Sequence, residues 1–448
     1  MLFSSIPFLY YFLPCVLILY HIVPKNFRNK ALLLVSLVFY AWGEPKYVFL
    51  MIGMVIFNYL AGILIGKFGT GCTGKMIMTA AVAVSVGVLV FYKFSSVAWP
   101  IGISFYTFQL LSYVVDVYRG TAQVQKNLFD LGAYVTMFPQ LIAGPIVRYV
   151  DIAAQLKSRV HSFEKTLEGI ERFTVGLSKK ILISNALGEL CEIFKASDEK
   201  SVLFFWVYAI SYTLQIYFDF SGYSDMAIGL GKMFGFDFLE NFNYPYISKS
   251  ITEFWRRWHM SLGSWFRDYV YIPLGGNRVS KKRWYFNIFV VWSLTGLWHG
   301  AAPNFIVWGL MFAVLLIIEK HWLLKKLESA KVWNHIYVLL IVMISFVIFN
   351  AASMKEALTY IGGMFGIGGV PLVNAECIYY LKSYGVLIAA SVIGSTPLVK
   401  WGVSKATSWD GGKKVLSFVK PVMIVALVAV CTAYLIDSSF NPFLYFRF

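Results

Sequence analysis

Charge is scarce in this chain. Asp, Glu, Lys and Arg make up 14% of its 448 residues, against about a quarter in soluble domains. Too few polar side chains remain to coat a water-soluble surface, which excludes an ordinary soluble globule. Long stretches of alternating polar and apolar residues are missing too, which argues against a β-barrel. The five cysteines (Cys15, Cys72, Cys191, Cys377 and Cys431) are scattered and form no CxxC pair. Four lie in or beside apolar runs, so buried, inert thiols are expected and no metal site. HExxH, GxSxG and the P-loop do not occur. One SxxK match, Ser197 to Lys200, sits in a charged loop and is set aside. No Ser/Gly linker, low-complexity tract or long repeat divides the chain, so a single integral-membrane domain over residues 1–448 is expected.

What is abundant is apolar. Hydrophobic residues reach 58% and aromatics 18%, with a mean hydropathy of +0.66. A spanning helix needs about 20 mostly apolar residues. Runs at 6–23, 30–42, 46–66, 76–93, 101–117, 128–147, 202–220, 284–299, 303–320, 333–351, 376–396 and 418–436 predict an all-α polytopic membrane protein. Leu167, Ile170, Phe173, Leu177 and Ile181 recur at helical spacing and predict a helix on or just inside the interface. The GxxxG pairs Gly62/Gly66 and Gly231/Gly235 carry little weight among 35 glycines.

The net charge of +16 gathers in loops between apolar runs, such as "PKNFRNK", "GKFGTGCTGK", "YRGTAQVQKN", "KKLESAK" and Lys400 to Lys414. Basic loops stay cytoplasmic, so membrane lipids rather than nucleic acid are the expected surroundings. "GEPKY" and "AASMKEA" fall outside on the same rule. The first run lacks a basic leader and a small-residue cleavage site. It reads as a retained span with an extracytoplasmic start.

One region breaks the membrane pattern. "ITEFWRRWHMSLGSWFRDYVYIPLGGNR", residues 251–278, crowds four arginines, two acids, three tryptophans and His259 together. "YFDFSGYSDMAIG" before it places Asp219 and Asp225 beside apolar runs, and "LTGLWHG" after it ends in Trp298 and His299. Ionisable groups at membrane depth cost a few kcal/mol or more, so they usually line a pocket or water path. Helical spacing puts Trp255, Trp258, His259 and Leu262 on one face and lets Glu253 pair with Arg257. The plainer reading is an interfacial anchor helix with snorkelling arginines.

"IPLGGNR" reads as a turn whose amides, with Arg278, Lys281, Lys282 and Arg283, can receive phosphate; a plain basic loop is the simpler account. His299 ends one apolar run just before the next begins, and Trp298 and Trp308 are expected to pack it. A desolvated imidazole is biased towards neutral, the form that accepts a proton as a general base. A structural histidine bonded to a carbonyl is the alternative. His21, His161, His321 and His335 read as interfacial.

These segments, with "PQLIAGPIVRY" at 139–149 and the ending "NPFLYFRF", resemble the membrane-bound O-acyltransferases. Within them the chain is most similar to the bacterial branch that acetylates alginate and other polysaccharides. The branch that transfers D-alanine to teichoic acid is similar but lacks so clear a "YIPLGGNR". The resemblance covers most of the chain. It implies a bundle of about eleven or more helices around a central funnel, with His299 as the catalytic histidine and His259 as its partner. Tyr217, Asp219, Asp225, Trp255, Arg256, Trp258 and Trp298 then line the funnel. Arg256, Arg267, Arg278, Lys281 and Lys282 would draw in the phosphates of a cytoplasmic acyl thioester such as acetyl-CoA. That donor is a substrate; no permanently bound cofactor is expected. An extracytoplasmic SGNH-type partner would carry the acetyl group onto an exopolysaccharide or cell-wall glycan. His259, Trp255 or Tyr217 could supply the oxyanion donor, and Asp219 could orient a histidine or hold an arginine. A lipid-linked glycan flippase, a recruiting subunit and a lipid acyltransferase are the rivals.

Overall fold

The structure, a computed structural model, describes residues 1–142, 144–437, 440–442 and 444. Among them regular structure is helical throughout. Seven helices are long and apolar enough to cross a membrane: Val48–Phe68, Cys72–Phe94, Val202–Met233, Pro303–Ser329, Trp333–Asn350, Ala375–Gly394 and Asp410–Asp437. Each falls on a predicted run. Several of the other runs form shorter helices, including Phe8–Ile22, Arg28–Gly43 and Ile103–Arg119. The predicted run 128–147 is broken: Leu128–Thr136 ends at Met137, and Phe138–Leu141 restarts with Pro139 in its first turn. Proline brings no amide and tolerates a helix only there.

The chain forms two compact units. The first comprises Met1–Leu177 and Tyr223–Glu240. Its core is aromatic, with Phe3, Phe8, Phe39 and Phe138 almost fully buried. Phe3 and Phe8 pack at 4.9 Å and Phe39 and Phe138 at 5.4 Å, within the range where offset and edge contacts are favourable. The predicted amphipathic segment is the helix Phe163–Ser178, with Phe173 and Leu177 buried and Leu167 exposed.

The second unit comprises Ser178–Gly222 and Asn241–Phe448. Its core runs from Leu187 and Phe194 through Tyr208, Tyr212 and Phe254 to Trp308, Phe312 and Phe346. Helices Ala375–Gly394 and Asp410–Asp437 bury little of themselves. Val386, Phe418 and Val425 point outward, as apolar side chains facing lipid do. Cys191, Cys377 and Cys431 are buried as expected, whereas Cys15 and Cys72 are exposed.

Candidate active site

The tryptophan-rich segment starts as a helix, Ile251–Arg257. Ser250 Oγ accepts the Glu253 amide at 3.0 Å. The fully buried carboxylate of Glu319 accepts the amides of Ile251 and Thr252 at 2.6 and 2.8 Å and the Thr252 hydroxyl at 2.7 Å. Donors that a helix start leaves unmet are thus satisfied, and the negative charge suits the positive end of the dipole. Glu253 and Arg257 pair at 2.9 Å, as their spacing predicts.

The helix then stops. Trp258 is extended, His259 is left-handed (φ 44°, ψ 52°), and a new helix runs Met260–Phe266. The expectation that Trp255, Trp258, His259 and Leu262 share one helical face is therefore overturned. The cause is Asn241. Its backbone carbonyl accepts the Met260 amide at 2.9 Å. Its Oδ1 meets His259 Nδ1 at 3.1 Å, the Ser261 amide at 3.2 Å and the Ser261 hydroxyl at 2.9 Å. A left-handed non-glycine residue costs about 1 kcal/mol or more and persists only where its surroundings fix it.

Because Asn241 Oδ1 can only accept, His259 Nδ1 carries the proton, which makes Nε2 the basic atom. The ring is 3% exposed and lies edge-on to Phe220 at 4.6 Å. Burial holds this imidazole down at about 3, so it is neutral at physiological pH.

His299 closes a helical hairpin. Helix Lys281–His299 packs on Pro303–Ile318, and glycines set the distance. A Cβ on Gly296 would meet the Phe305 carbonyl at 2.5 Å, and one on Gly309 would collide with the Trp292 carbonyl. Only bare backbone allows this approach. At the hairpin's end the His299 ring is 7% exposed. Trp298 lies at 4.7 Å, Phe349 at 5.0 Å, Trp308 at 5.2 Å and Phe305 at 6.5 Å. The packing by Trp298 and Trp308 matches the sequence reading. Trp298 also lies 6.2 Å from His259, so one indole touches both imidazoles.

Trp255, Trp258 and Tyr217 join the same aromatic network. Trp255 packs on Trp292 at 4.8 Å and Trp308 at 5.6 Å. Trp258 packs on Phe242 at 5.1 Å and Tyr217 at 6.4 Å. The buried indole nitrogens of Trp255 and Trp308 find no acceptor among the described residues. They are hydrogen-bond donors held in an apolar cage, the kind of group that can meet a developing oxyanion.

The remaining predicted residues are either ion-paired or exposed. Among the described residues Asp219 holds neither a histidine nor an arginine: it pairs with Lys180 at 2.6 Å, both fully buried, and accepts the Leu444 amide at 3.0 Å. Asp225 belongs to the first unit, where it pairs with Arg172 at 2.7 Å. Arg256, Arg267, Arg278, Lys281 and Lys282 are exposed, and Arg267 pairs with its neighbour Asp268 at 2.7 Å. Buried Asn287 on the His299 helix donates to the Gly276 carbonyl at 3.0 Å and ties the "IPLGGNR" turn to that helix. Gly275 and Gly276 turn the chain there with φ of 103° and 57°.

Sequence reasoning missed Asn241, Glu319 and Lys180. Glu319 alone left a trace, as an acid closing an apolar run. Among the described residues no three His, Cys, Asp or Glu side chains gather as a metal-holding group. A cleft lined by Ile181, Asn185, Glu189, Tyr434 and Asn441 includes neither histidine.

Comparison with known proteins gives the family. A family model described as MBOAT, membrane-bound O-acyltransferase family, matches residues 123–355, a span that contains both histidines. The chain is 38% identical to a probable alginate O-acetylase, AlgI, of Azotobacter vinelandii, over 100% of both chains. It is 29% identical to a peptidoglycan O-acetyltransferase of Helicobacter pylori, over 100% of this chain and 98% of that one. A teichoic acid D-alanyltransferase of Bacillus subtilis is 33% identical over 48% of this chain and 58% of its own.

Proposed function

The chain belongs to the membrane-bound O-acyltransferase family, and from that premise we propose that it moves an acetyl group from cytoplasmic acetyl-CoA towards a hydroxyl of an extracytoplasmic exopolysaccharide or cell-wall glycan, with His299 as general base. It is a multi-pass bacterial membrane protein of the O-acetyltransferase branch. The observation that carries the reading is the His299 imidazole, buried at the end of a glycine-tightened hairpin and walled by Trp298, Trp308, Phe305 and Phe349.

In that cage an imidazole takes the proton of the acceptor hydroxyl as the oxygen attacks the thioester carbonyl. The carbon–oxygen bond forms, and the tetrahedral intermediate collapses with cleavage of the carbon–sulfur bond. The departing thiolate takes back the proton, and free thiol leaves. The Trp255 and Trp308 indole N–H groups donate to the oxyanion in this reading, and neutral His259 supports the site through Trp298. An SGNH-type protein outside the membrane would relay the acetyl group to the glycan.

The test measures thiol release from acetyl-CoA together with acetylation of the acceptor by purified protein. His299→Ala should lower both by about 10²–10⁴-fold while the protein still folds. Wild-type rates in that variant would refute the assignment. Transfer from a D-alanyl thioester with no use of acetyl-CoA would move the chain to the D-alanylating reading, the activity named for the Bacillus subtilis relative that matches 48% of this chain. Glycan movement across the membrane without thiol release would make it a transporter.

A further inference from the structure

We propose that Arg28 and Arg159, gathered round Tyr20 and His161 in the first unit, form a binding site for a phosphate-bearing anion. Both guanidinium groups rest against the same tyrosine ring, Arg28 at 5.3 Å and Arg159 at 5.7 Å from its centre. Arg28 Nη1 lies 3.1 Å from His161 Nδ1. A guanidinium only donates, so Nδ1 accepts and the proton sits on Nε2. That N–H donates to the Tyr20 hydroxyl at 3.0 Å, and the hydroxyl donates to the Phe234 carbonyl at 2.9 Å. Arg159 Nε donates to the same hydroxyl at 2.9 Å, and its Nη1 donates to Asn29 Oδ1 at 2.7 Å. Its plane also lies 4.3 Å from the Phe236 ring.

Every one of these acceptors is neutral. Among the described residues neither Arg28 nor Arg159 has an ion pair, and Arg28 Nε and Arg159 Nη2 find no acceptor. Nearby carboxylates are already engaged. Asp237 pairs with Lys165 at 2.6 Å and Asp151 with Arg148 at 2.9 Å, while Asp130 accepts from Asn29 at 2.8 Å and makes an ion pair with neither guanidinium. Two cations held side by side by neutral groups repel each other, and a surface ion pair would ordinarily relieve that. Here the positions are fixed, and among the described residues no carboxylate makes an ion pair with either guanidinium. Rigid, half-buried guanidinium groups with spare N–H donors are the usual cradle for phosphate oxygens. Exposed Lys25 adds to the basic rim.

The site follows the end of the apolar helix Phe8–Ile22. Two sources of phosphate meet such a boundary: an anionic lipid headgroup and a dissolved nucleotide or phosphate. The site lies wholly in the first unit and does not depend on the acyl-transfer reading.

Purified full-length protein in a phosphate-free, non-ionic detergent is titrated with phosphatidylglycerol in mixed micelles, with coenzyme A and with inorganic phosphate, and thermal unfolding and binding are followed. The wild type should be stabilised by at least one probe, and the tightest identifies the source. Arg28→Gln with Arg159→Gln should weaken that probe about tenfold or more, since two charge-assisted contacts are lost. Equal affinity in the wild type and the double variant would overturn the proposal. If the double variant does not fold, the single variants decide: affinity for every probe equal to wild type in both Arg28→Gln and Arg159→Gln refutes the site.

Discussion

Glu319 holds Thr252 twice, its Oε2 accepting the amide at 2.8 Å and the hydroxyl at 2.7 Å. Through this grip a spanning helix fixes where the Ile251–Arg257 helix begins, and so where His259 falls. Removing the carboxylate leaves buried donors unmet, at about 1–3 kcal/mol each in a site closed to water. Glu319→Ala should lower the unfolding midpoint and sharply reduce acyl transfer, although Glu319 touches no reacting group. Glu319→Gln, which keeps one acceptor oxygen, should be milder in both. Thermal unfolding beside a thiol-release assay checks the order; an Ala variant as stable and active as wild type would contradict it.

His259 should make the protein sensitive to acid. Its imidazole is held at about 3 in the folded chain against an ordinary 6.5. Between those values the unfolded chain binds the proton and the folded chain does not. Stability therefore rises with pH through that window, by up to about 1.4 kcal/mol per pH unit, and is complete above the upper value. His161, held at about 4 mainly by burial and then by Arg28 and Arg159, acts in the same direction. The comparison is thus wild type against His259→Gln. The wild type should lose more stability on acidification from about pH 7 to about pH 4. Parallel curves would show that His259 is not held neutral by the fold.

The spanning helices were legible because their pattern is one-dimensional: about 20 apolar residues in a row need no tertiary information. The packing of His299 by Trp298 and Trp308 was legible for the same reason, since the residue is stranded between two such runs. The break at Trp258–His259 was not. Helical spacing alone favours one continuous helix there, and the left-handed turn exists only because Asn241, 18 residues upstream, takes three donors on one oxygen. Asp219 and Asp225 look alike in sequence. One is buried against Lys180 and the other joins Arg172 in the first unit. Partners dozens of residues away decide such roles.

The hairpin that carries His299 should tolerate no side chain at its crossing. Gly309→Ala would drive a methyl group into the Trp292 carbonyl, and Gly296→Ala into that of Phe305. Overpacking of this kind costs about 1–3 kcal/mol and is relieved by the helices moving apart. His299 sits three residues beyond Gly296, so the imidazole should shift with its helix. Each variant should therefore lose activity out of proportion to its lost stability. Measured kcat and unfolding midpoint would show this; a normal kcat in a destabilised protein would mean that hairpin spacing does not set the His299 position.

Asp219, expected at the site, is paired with Lys180, which gives two separable outcomes. Both side chains are fully buried at 2.6 Å, and Lys180 also donates to the Pro442 carbonyl. Removing one member of a buried pair strands the other, at about 3–5 kcal/mol, whereas replacing both by apolar residues of similar size is often neutral. Lys180→Met or Asp219→Leu alone should cripple folding. The double variant should recover much of the stability, less what the Pro442, Leu444 and Ser184 contacts contribute. If the double variant folds and still transfers acetyl groups, the pair is structural. If it folds but is inactive, with the His259 and His299 rings unmoved, Asp219 acts on substrate as the sequence suggested.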